Sequence, residues 1–391
     1  MLALLPEPLS IDPQLHAALG TPVVAPAAAG LSFGQAVGAA WSARDEDFVL
    51  VAPASELRAA ASTALAGFAV AERLARLAVV VLGDCDDVGV ELAVRGFACE
   101  SVGSTAQLPG ALARARGRGR PAVIFYCGAS RPAPLTCGDR AFRAESRPGW
   151  DLGGVGAERT PPARAPLAVP FEGPARDLGA FAAGVALRRI PLAVVPLADA
   201  DALKPALRLG LPMIFVATED EPPRDALWSL RLVPGVEVWR PAGAVEAGAI
   251  LDAAVDRAGP TVVVLGPDPS AASPPDPLAG AAVLLDAPAP AATLLATGAE
   301  VALALAARAA LECPVRVVAV SCVSRFAAVS DLERRRLLGG GPLVVLEAGV
   351  AAPWRALVGP EARILADDLS VAAVLAAVRG NGRAARSYRQ P

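Results

Sequence analysis

Histidine, asparagine and lysine are almost missing from this chain: its 391 residues contain one of each, His16, Asn381 and Lys204. A histidine that moves protons is hard to replace, because no other side chain titrates unperturbed near neutral pH. His16 lies among proline and glycine in the N-terminal segment and reads as an ordinary surface histidine. A Ser-His-Asp device therefore has no foothold, and no His/Cys cluster has zinc spacing. The six cysteines (Cys85, Cys99, Cys127, Cys137, Cys313 and Cys322) form no CxxC pair and lie mostly in apolar stretches, so they read as buried thiols. The glycine run 339–341 lacks the following Lys-Ser/Thr of a phosphate loop. No apolar run approaches the ~20 residues of a membrane helix. The start, MLALLPEPLSIDPQ, has no basic leader and is broken by Pro6 and Pro8. A soluble, cytoplasmic protein with no membrane partner is expected. The 36 basic and 39 acidic residues are spread along the chain, so no basic stripe exists to bind nucleic acid.

What is present is a large stock of small aliphatic residues. Hydrophobic residues make up 54% and charged residues 19%, with 4% aromatics, so cores must be built from Ala, Val and Leu. Short apolar runs alternate with longer Ala/Leu/Arg segments of helical period, the pattern of repeated βαβ units on parallel sheets. Strands are expected at Phe48–Val51, Leu77–Leu82, Ala122–Tyr126, Leu192–Val195, Met213–Ala217, Thr261–Leu265, Thr293–Ala296, Val315–Val320 and Leu343–Glu347. Helices are expected at Glu56–Ala66, Gln107–Arg116, Ala180–Leu187, Ala244–Arg257, Ala299–Leu311 and Val371–Arg379. Two stretches rich in proline, 131–165 and 266–280, break the alternation and read as linkers. They divide the chain into expected domains of residues 1–147, 148–266 and 281–391.

Several stretches, in order, resemble the transketolase family. They are RDEDFVLVAPASELRAAASTALAGF (44–68), LGDCDD (82–87), LGAFAAGVAL (178–187), LGLPMIFVATED (209–220), VPGVEVWRPAGAVEAGAILDAA (233–254), VLLDAPAPAATLLATGAEVALALAA (283–307) and LVVLEAGVAAPWRALVG (343–359). The resemblance implies two thiamine diphosphate-binding-type parallel-sheet domains followed by a transketolase C-terminal-like α/β domain. The first would be a degenerate diphosphate-binding (PP-like) domain and the second a pyrimidine-binding (Pyr-like) domain. It also implies a dimer, with thiamine diphosphate and Mg²⁺ bound across the interface.

The residues that such chemistry needs are mostly replaced. The family holds Mg²⁺ with the Asp of a G-D-G motif and an Asn about thirty residues later. Here the resemblance leaves Asp84 as a remnant of the metal and cofactor site, beside Cys85, with a solvated acidic loop as the other reading of Asp84, Asp86 and Asp87. Aromatics that would stack on the aminopyrimidine correspond to Pro196, Asp199 and Ala202, and no Phe, Tyr or Trp occurs between Phe181 and Phe215. The Glu that protonates the ring, in an R-E-H segment, corresponds to Ala175, with Asp177 two positions away. The family's substrate-binding histidines correspond to Ala54, Ala129 and Glu219, and the loop after Asp220 is shortened to EPPRDALW. A phosphate-binding Arg falls near Gly266 and Pro267, and Glu347 is retained in an expected structural role.

The pattern of loss spares strands and packed helices and falls on active-site loops. The expectation is a shortened, degenerate member of the family with no catalytic residues and no cofactor, acting as a partner or scaffold. It would form a homodimer, or a heterodimer with an active transketolase-type subunit. The alternative is an active or altered thiamine diphosphate-dependent ketol (two-carbon) transferase of sugar phosphate metabolism, which would need thiamine diphosphate and Mg²⁺.

Overall fold

The computed structural model describes residues 2–6, 13–19, 23–27, 30–83, 91–126, 163–219, 225–266 and 274–387. The chain divides into two compact units, Met1–Pro191 and Leu192–Pro391. Asp84 to Asp87, Ala129, Asp220 and Pro267 lie outside the described residues, as do most of the expected linker 131–165 and residues 267–273 of the other.

In the first unit, β1 (Leu2–Pro6), β2 (Val23–Ala27), β3 (Phe48–Pro53), β4 (Leu77–Leu82), β5 (Ala98–Val102) and β6 (Ala122–Tyr126) form one sheet ordered β2-β1-β3-β4-β6-β5. Every pairing is parallel. The apolar runs of β3 and β4 are buried on both faces, as a parallel sheet covered by helices requires. Val49, Val51, Val80 and Ile124 pack with Leu15, Leu108 and Leu112 from the helices Pro13–Ala18 and Leu108–Arg116. Strand β7 (Ala163–Ala168) follows later in the unit.

A helix not expected from the sequence, Ser32–Ser42, packs along the helix Ala175–Val185, and its residues from Ser32 to Ala40 are all buried. A Cβ on Gly38 would lie 2.1 Å from the carbonyl oxygen of Phe181, and one on Gly184 would lie 2.0 Å from that of Gln35. The two backbones therefore touch where side chains would normally hold helices 8–10 Å apart. Phe171 stacks on Phe181 with ring centroids 5.5 Å apart, and Trp41 and Phe68 close on the same ring. The expected helix 56–66 is two helices, Ala54–Ala60 and Thr63–Ala71. Ser62 ends the overlap by accepting a hydrogen bond from the Leu65 amide, an N-cap that restarts the chain.

In the second unit, β8 (Arg189–Pro196, entering the unit at Leu192), β9 (Ile214–Thr218), β10 (Glu237–Trp239) and β11 (Thr261–Leu265) run in the order β10-β11-β9-β8, all parallel. Strands β12 (Ala281–Leu285), β13 (Ala292–Ala296), β14 (Val315–Val320), β15 (Leu343–Leu346) and β16 (Arg363–Leu365) form a mixed sheet, β12-β14-β13-β15-β16. In it β12 runs antiparallel to β14 and the other pairs are parallel. One face packs Leu294, Val317 and Val344 on Val301, Ala304 and Val374 of the helices Glu300–Ala310 and Val371–Ser387. The other packs Leu295, Val318 and Val345 on Phe326, Trp354 and Trp228. Cys322 is buried, whereas Cys99 and Cys313 are half-buried. Among the described residues no helix is long and apolar enough to cross a membrane.

Candidate functional site

Parallel strands present their carboxyl ends to loops, and ligand groups in α/β proteins collect there. Several positions singled out in the sequence fall at such ends. Ala54 opens the helix after β3, Pro196 ends β8, Asp199 and Ala202 lie in the 3₁₀ turn that follows it, and Glu219 comes directly after β9. Ala175 is the first residue of the helix Ala175–Val185, with Asp177 in its first turn. Of the positions singled out in the sequence, the structure brings Glu219 and Glu347 into one constellation, joined by Arg240, Glu300 and Thr297.

At the centre is Arg240, which follows β10 and whose side chain is 0% exposed. Its Nε donates to Glu219 Oε2 at 3.1 Å and its Nη2 to Glu219 Oε1 at 2.6 Å, a fork-to-fork pair. Glu300 takes the other edge, accepting from Nη1 and, at 3.2 Å, from Nη2. Nη1 also donates to Thr297 Oγ1 at 2.8 Å. The Thr297 hydroxyl in turn donates to Glu347 Oε1 at 2.8 Å, and Glu347 Oε2 accepts from Trp354 Nε1 at 2.6 Å and from Arg231 Nη1 at 3.0 Å. The Ala348 amide donates to Glu300 Oε1 at 3.1 Å.

Backbone geometry makes room for this. A Cβ on Gly298 would lie 2.5 Å from Arg240 Cγ, and the residue has φ +51, so glycine is required there on both counts. The backbone of Arg240 is pinned as well, its amide donating to the Ser321 carbonyl at 2.7 Å and its carbonyl accepting from Gly298 N–H at 3.1 Å. Burial works against the charge on Arg240, but Glu300 and Glu219 outweigh it and hold its pKa above the ordinary arginine value. Burial likewise pushes the Glu300 carboxyl up, opposed by Arg240 and the Ala348 amide.

The arrangement is a closed ionic knot. Every oxygen of Glu219, Glu300 and Glu347 accepts from a protein donor, and all three carboxylates are nearly inaccessible to solvent. No signal in the sequence marked Arg240, Glu300 or Thr297, because a buried charge leaves no local trace until its partners are known.

Comparison with known proteins supplies the lineage. Residues 280–368 match the profile described as the transketolase-like TK C-terminal domain. The chain is 37% identical over 213 residues to transketolase 2 of Xanthobacter flavus, covering 47% of this chain and 31% of that protein. It is 38% identical over 180 residues to the transketolase of Treponema pallidum, covering 40% of this chain and 27% of that one. Residues 280–368 carry a transketolase-like C-terminal domain, and over about half its length the chain is similar to transketolases. The matched stretch spans less than a third of the length of these two curated relatives. In fold the likeness is wider: the Campylobacter jejuni transketolase structure superposes with a TM-score of 0.73, covering 93% of this chain and 84% of that one, at 15% identity. A Pichia stipitis transketolase gives 0.75 at 14% identity, over 92% and 81% of the two chains. The α/β class with parallel sheets and a mixed C-terminal sheet matches the transketolase-fold expectation.

A fourth buried carboxylate lies close to Arg240 in sequence and has no cationic partner among the described residues. Glu246 is 0% exposed, accepts from the Ala242 amide at 2.7 Å and from the Ser321 hydroxyl, and burial raises its pKa despite both bonds. A carboxyl whose pKa is higher folded than unfolded stabilises the fold most below its unfolded value, and that contribution is lost as pH rises through the folded value. Glu246→Gln, which keeps the acceptor for Ala242, is therefore expected to flatten the decline of the urea midpoint as pH rises above the ordinary glutamate range. A pH profile identical to that of the parent protein would refute this assignment.

Proposed function

We propose that this chain is a non-catalytic transketolase-family protein that serves as a partner or scaffold, as a homodimer or paired with an active transketolase-type subunit. The observation that carries the proposal is the state of Glu219. The resemblance puts a substrate-binding histidine at this position. Here a carboxylate stands instead, with both oxygens engaged by Arg240 and 7% of its surface exposed. A group so buried and turned towards Arg240 is not presented to a sugar hydroxyl, and its charge opposes a phosphate.

The cofactor fits no better. Ala175, at the position of the ring-protonating acid, has nothing to donate, and Pro196, Asp199 and Ala202 offer no aromatic wall. Among the described residues no group of three His, Cys, Asp or Glu is placed to hold a metal ion. Asp84, outside those residues, would be the sole remnant of a magnesium cage. The domain limits 1–147, 148–266 and 281–391 and a cytoplasmic location belong to the same proposal.

Titration calorimetry with thiamine diphosphate and Mg²⁺ tests it. No heat up to about millimolar cofactor, and no ketol transfer from a ketose phosphate, are expected. Micromolar binding with turnover would establish the opposite reading, an altered thiamine diphosphate enzyme, for which the names of the relatives speak.

A further inference from the structure

The second unit has a parallel half, β8 to β11, and a mixed half, β12 to the helix Val371–Ser387. The stretch joining them reads from sequence as a linker, yet its described end, from Pro274 onwards, is built into the fold. Leu278 packs against the cluster of Trp239, Ile250, Val263 and Cys322, and its carbonyl accepts from Arg325 Nη1 at 2.8 Å. Gly280 follows with φ +79, and its carbonyl accepts from the Cys322 amide at 2.9 Å. A Cβ on Gly280 would lie 2.5 Å from Arg325 Cβ, so both conformation and space call for glycine.

Across the join the backbones themselves are bonded. Strand β10 is the edge of its sheet, and an edge strand leaves a row of unpaired backbone groups. Trp239, at the end of β10, forms an antiparallel bridge with Cys322, just beyond β14. The Arg240 amide donates to the Ser321 carbonyl and the Gly298 amide to the Arg240 carbonyl, at 2.7 and 3.1 Å. Side chains cross the same line. The Ser321 hydroxyl donates to Glu246 Oε1, and both residues are buried. Arg325 Nε and Nη2 donate to Glu237 at 3.3 and 3.2 Å, with Cζ 4.8 Å from the centroid of the Trp239 ring. The pairs Arg240–Glu300 and Arg231–Glu347 span the join as well. Core residues are exchanged: Trp228 and Ala242 of the parallel half sit in the two cores of the mixed sheet, and Cys322 of the mixed half sits in the core beside β10 and β11.

We infer that the two halves of the second unit form one cooperative body, locked along this seam, and that the covalent connection between them is dispensable once the chain has folded. A hinge needs a few residues free to change φ and ψ and an interface that can part. Here the residues next to the connection are held by packing and hydrogen bonds. Parting the halves would leave buried backbone groups and carboxylates without partners. Domain interfaces that permit motion are small and polar, whereas this one exchanges core side chains. No cleft between these halves opens and closes on a ligand. The inference concerns motion within the unit, and it holds whether or not the chain is catalytic.

The test is to cut the folded protein. A protease recognition sequence in place of residues 267–273 allows the full-length chain to be purified and then cleaved between the halves. The two fragments should still elute together on gel filtration at about 1 μM, at the volume of the uncut protein. Fragments that separate would overturn the inference. Hydrogen exchange on chains with an unaltered connection gives a second reading. Ser321→Ala leaves Glu246 Oε1 without its side-chain donor at the seam, and protection should fall by the same factor, about tenfold, in β9 and β11 and in β13 and β14. A fall confined to the strands of one half, or no fall in either, would equally overturn it.

Discussion

Alanine in place of Gly38 is expected to lower the stability of the first unit by about 3 kcal/mol or more, at the upper end of what overpacking a tight core costs. The added methyl would sit 2.1 Å from Phe181 O and 2.9 Å from Phe181 C, both backbone atoms. No rotamer change relieves a clash with backbone, so the helices Ser32–Ser42 and Ala175–Val185 must separate. Separation opens the Phe171, Phe181, Phe68 and Trp41 cluster on one side and the buried stripe from Ser32 to Ala40 on the other. The same reasoning applies to Gly184, whose Cβ would meet Gln35 O at 2.0 Å and Ala39 N at 2.8 Å. Gly67 is the control: it lies in the helix Thr63–Ala71 with nothing within 4 Å of a built Cβ, so Gly67→Ala should stabilise by ~0.5–1 kcal/mol through helix propensity alone. Urea denaturation with hydrogen exchange over residues 32–42 and 175–185 separates the cases. An unchanged midpoint and unchanged protection in Gly38→Ala would mean the two helices do not touch backbone to backbone.

That helix pair also marks the limit of what could be read from the sequence. The sheet strands were legible because a parallel strand buried on both faces is a short apolar run, and Leu77–Leu82, Ala122–Tyr126, Thr261–Leu265 and Val315–Val320 stand where the runs stand. The helix Ser32–Ser42 was not. It is buried all round, so it lacks the polar stripe that gives a surface helix its period, and Gly34 and Gly38 read as breakers when they are contact points. Ser62 hid a helix start inside a continuous Ala/Leu stretch for a related reason: its capping role depends on one bond, to Leu65 N, rather than on any periodicity. At the candidate site the identity of Glu219 and the retention of Glu347 were legible, while the guanidinium joining them, 21 residues beyond Glu219, carries no spacing signature.

Arg240→Met is expected to destabilise the second unit by about 3–5 kcal/mol at neutral pH, the range for breaking a buried ion pair from one side. The loss comes from what remains rather than from what is removed. Glu219 and Glu300, with side chains 6% and 7% exposed, would keep their charges with no cation beside them. Glu300 is already displaced upward by burial while Arg240 pulls it down, so removing Arg240 raises it further. The sign of the pH effect follows. A folded Glu300 pKa above the unfolded one means that the folded state takes up its proton first on acidification, so the stability lost in the variant returns as pH falls towards the ordinary carboxylate range. The gap between parent and Arg240→Met urea midpoints should thus be large near about pH 7.5 and smaller near about pH 4.5. Adding Glu219→Gln and Glu300→Gln to Arg240→Met should recover much of the loss at neutral pH, because buried amides need hydrogen bonds but no counter-charge. A gap independent of pH, together with a triple variant as unstable as the single one, would mean that Arg240 acts by filling space against Gly298 and that the carboxylates are not ionised in the folded protein. The distinction bears on function as well. A Glu219 with both oxygens bonded to Arg240 is locked into the fold, and we propose that a residue locked in this way is withdrawn from binding a sugar phosphate.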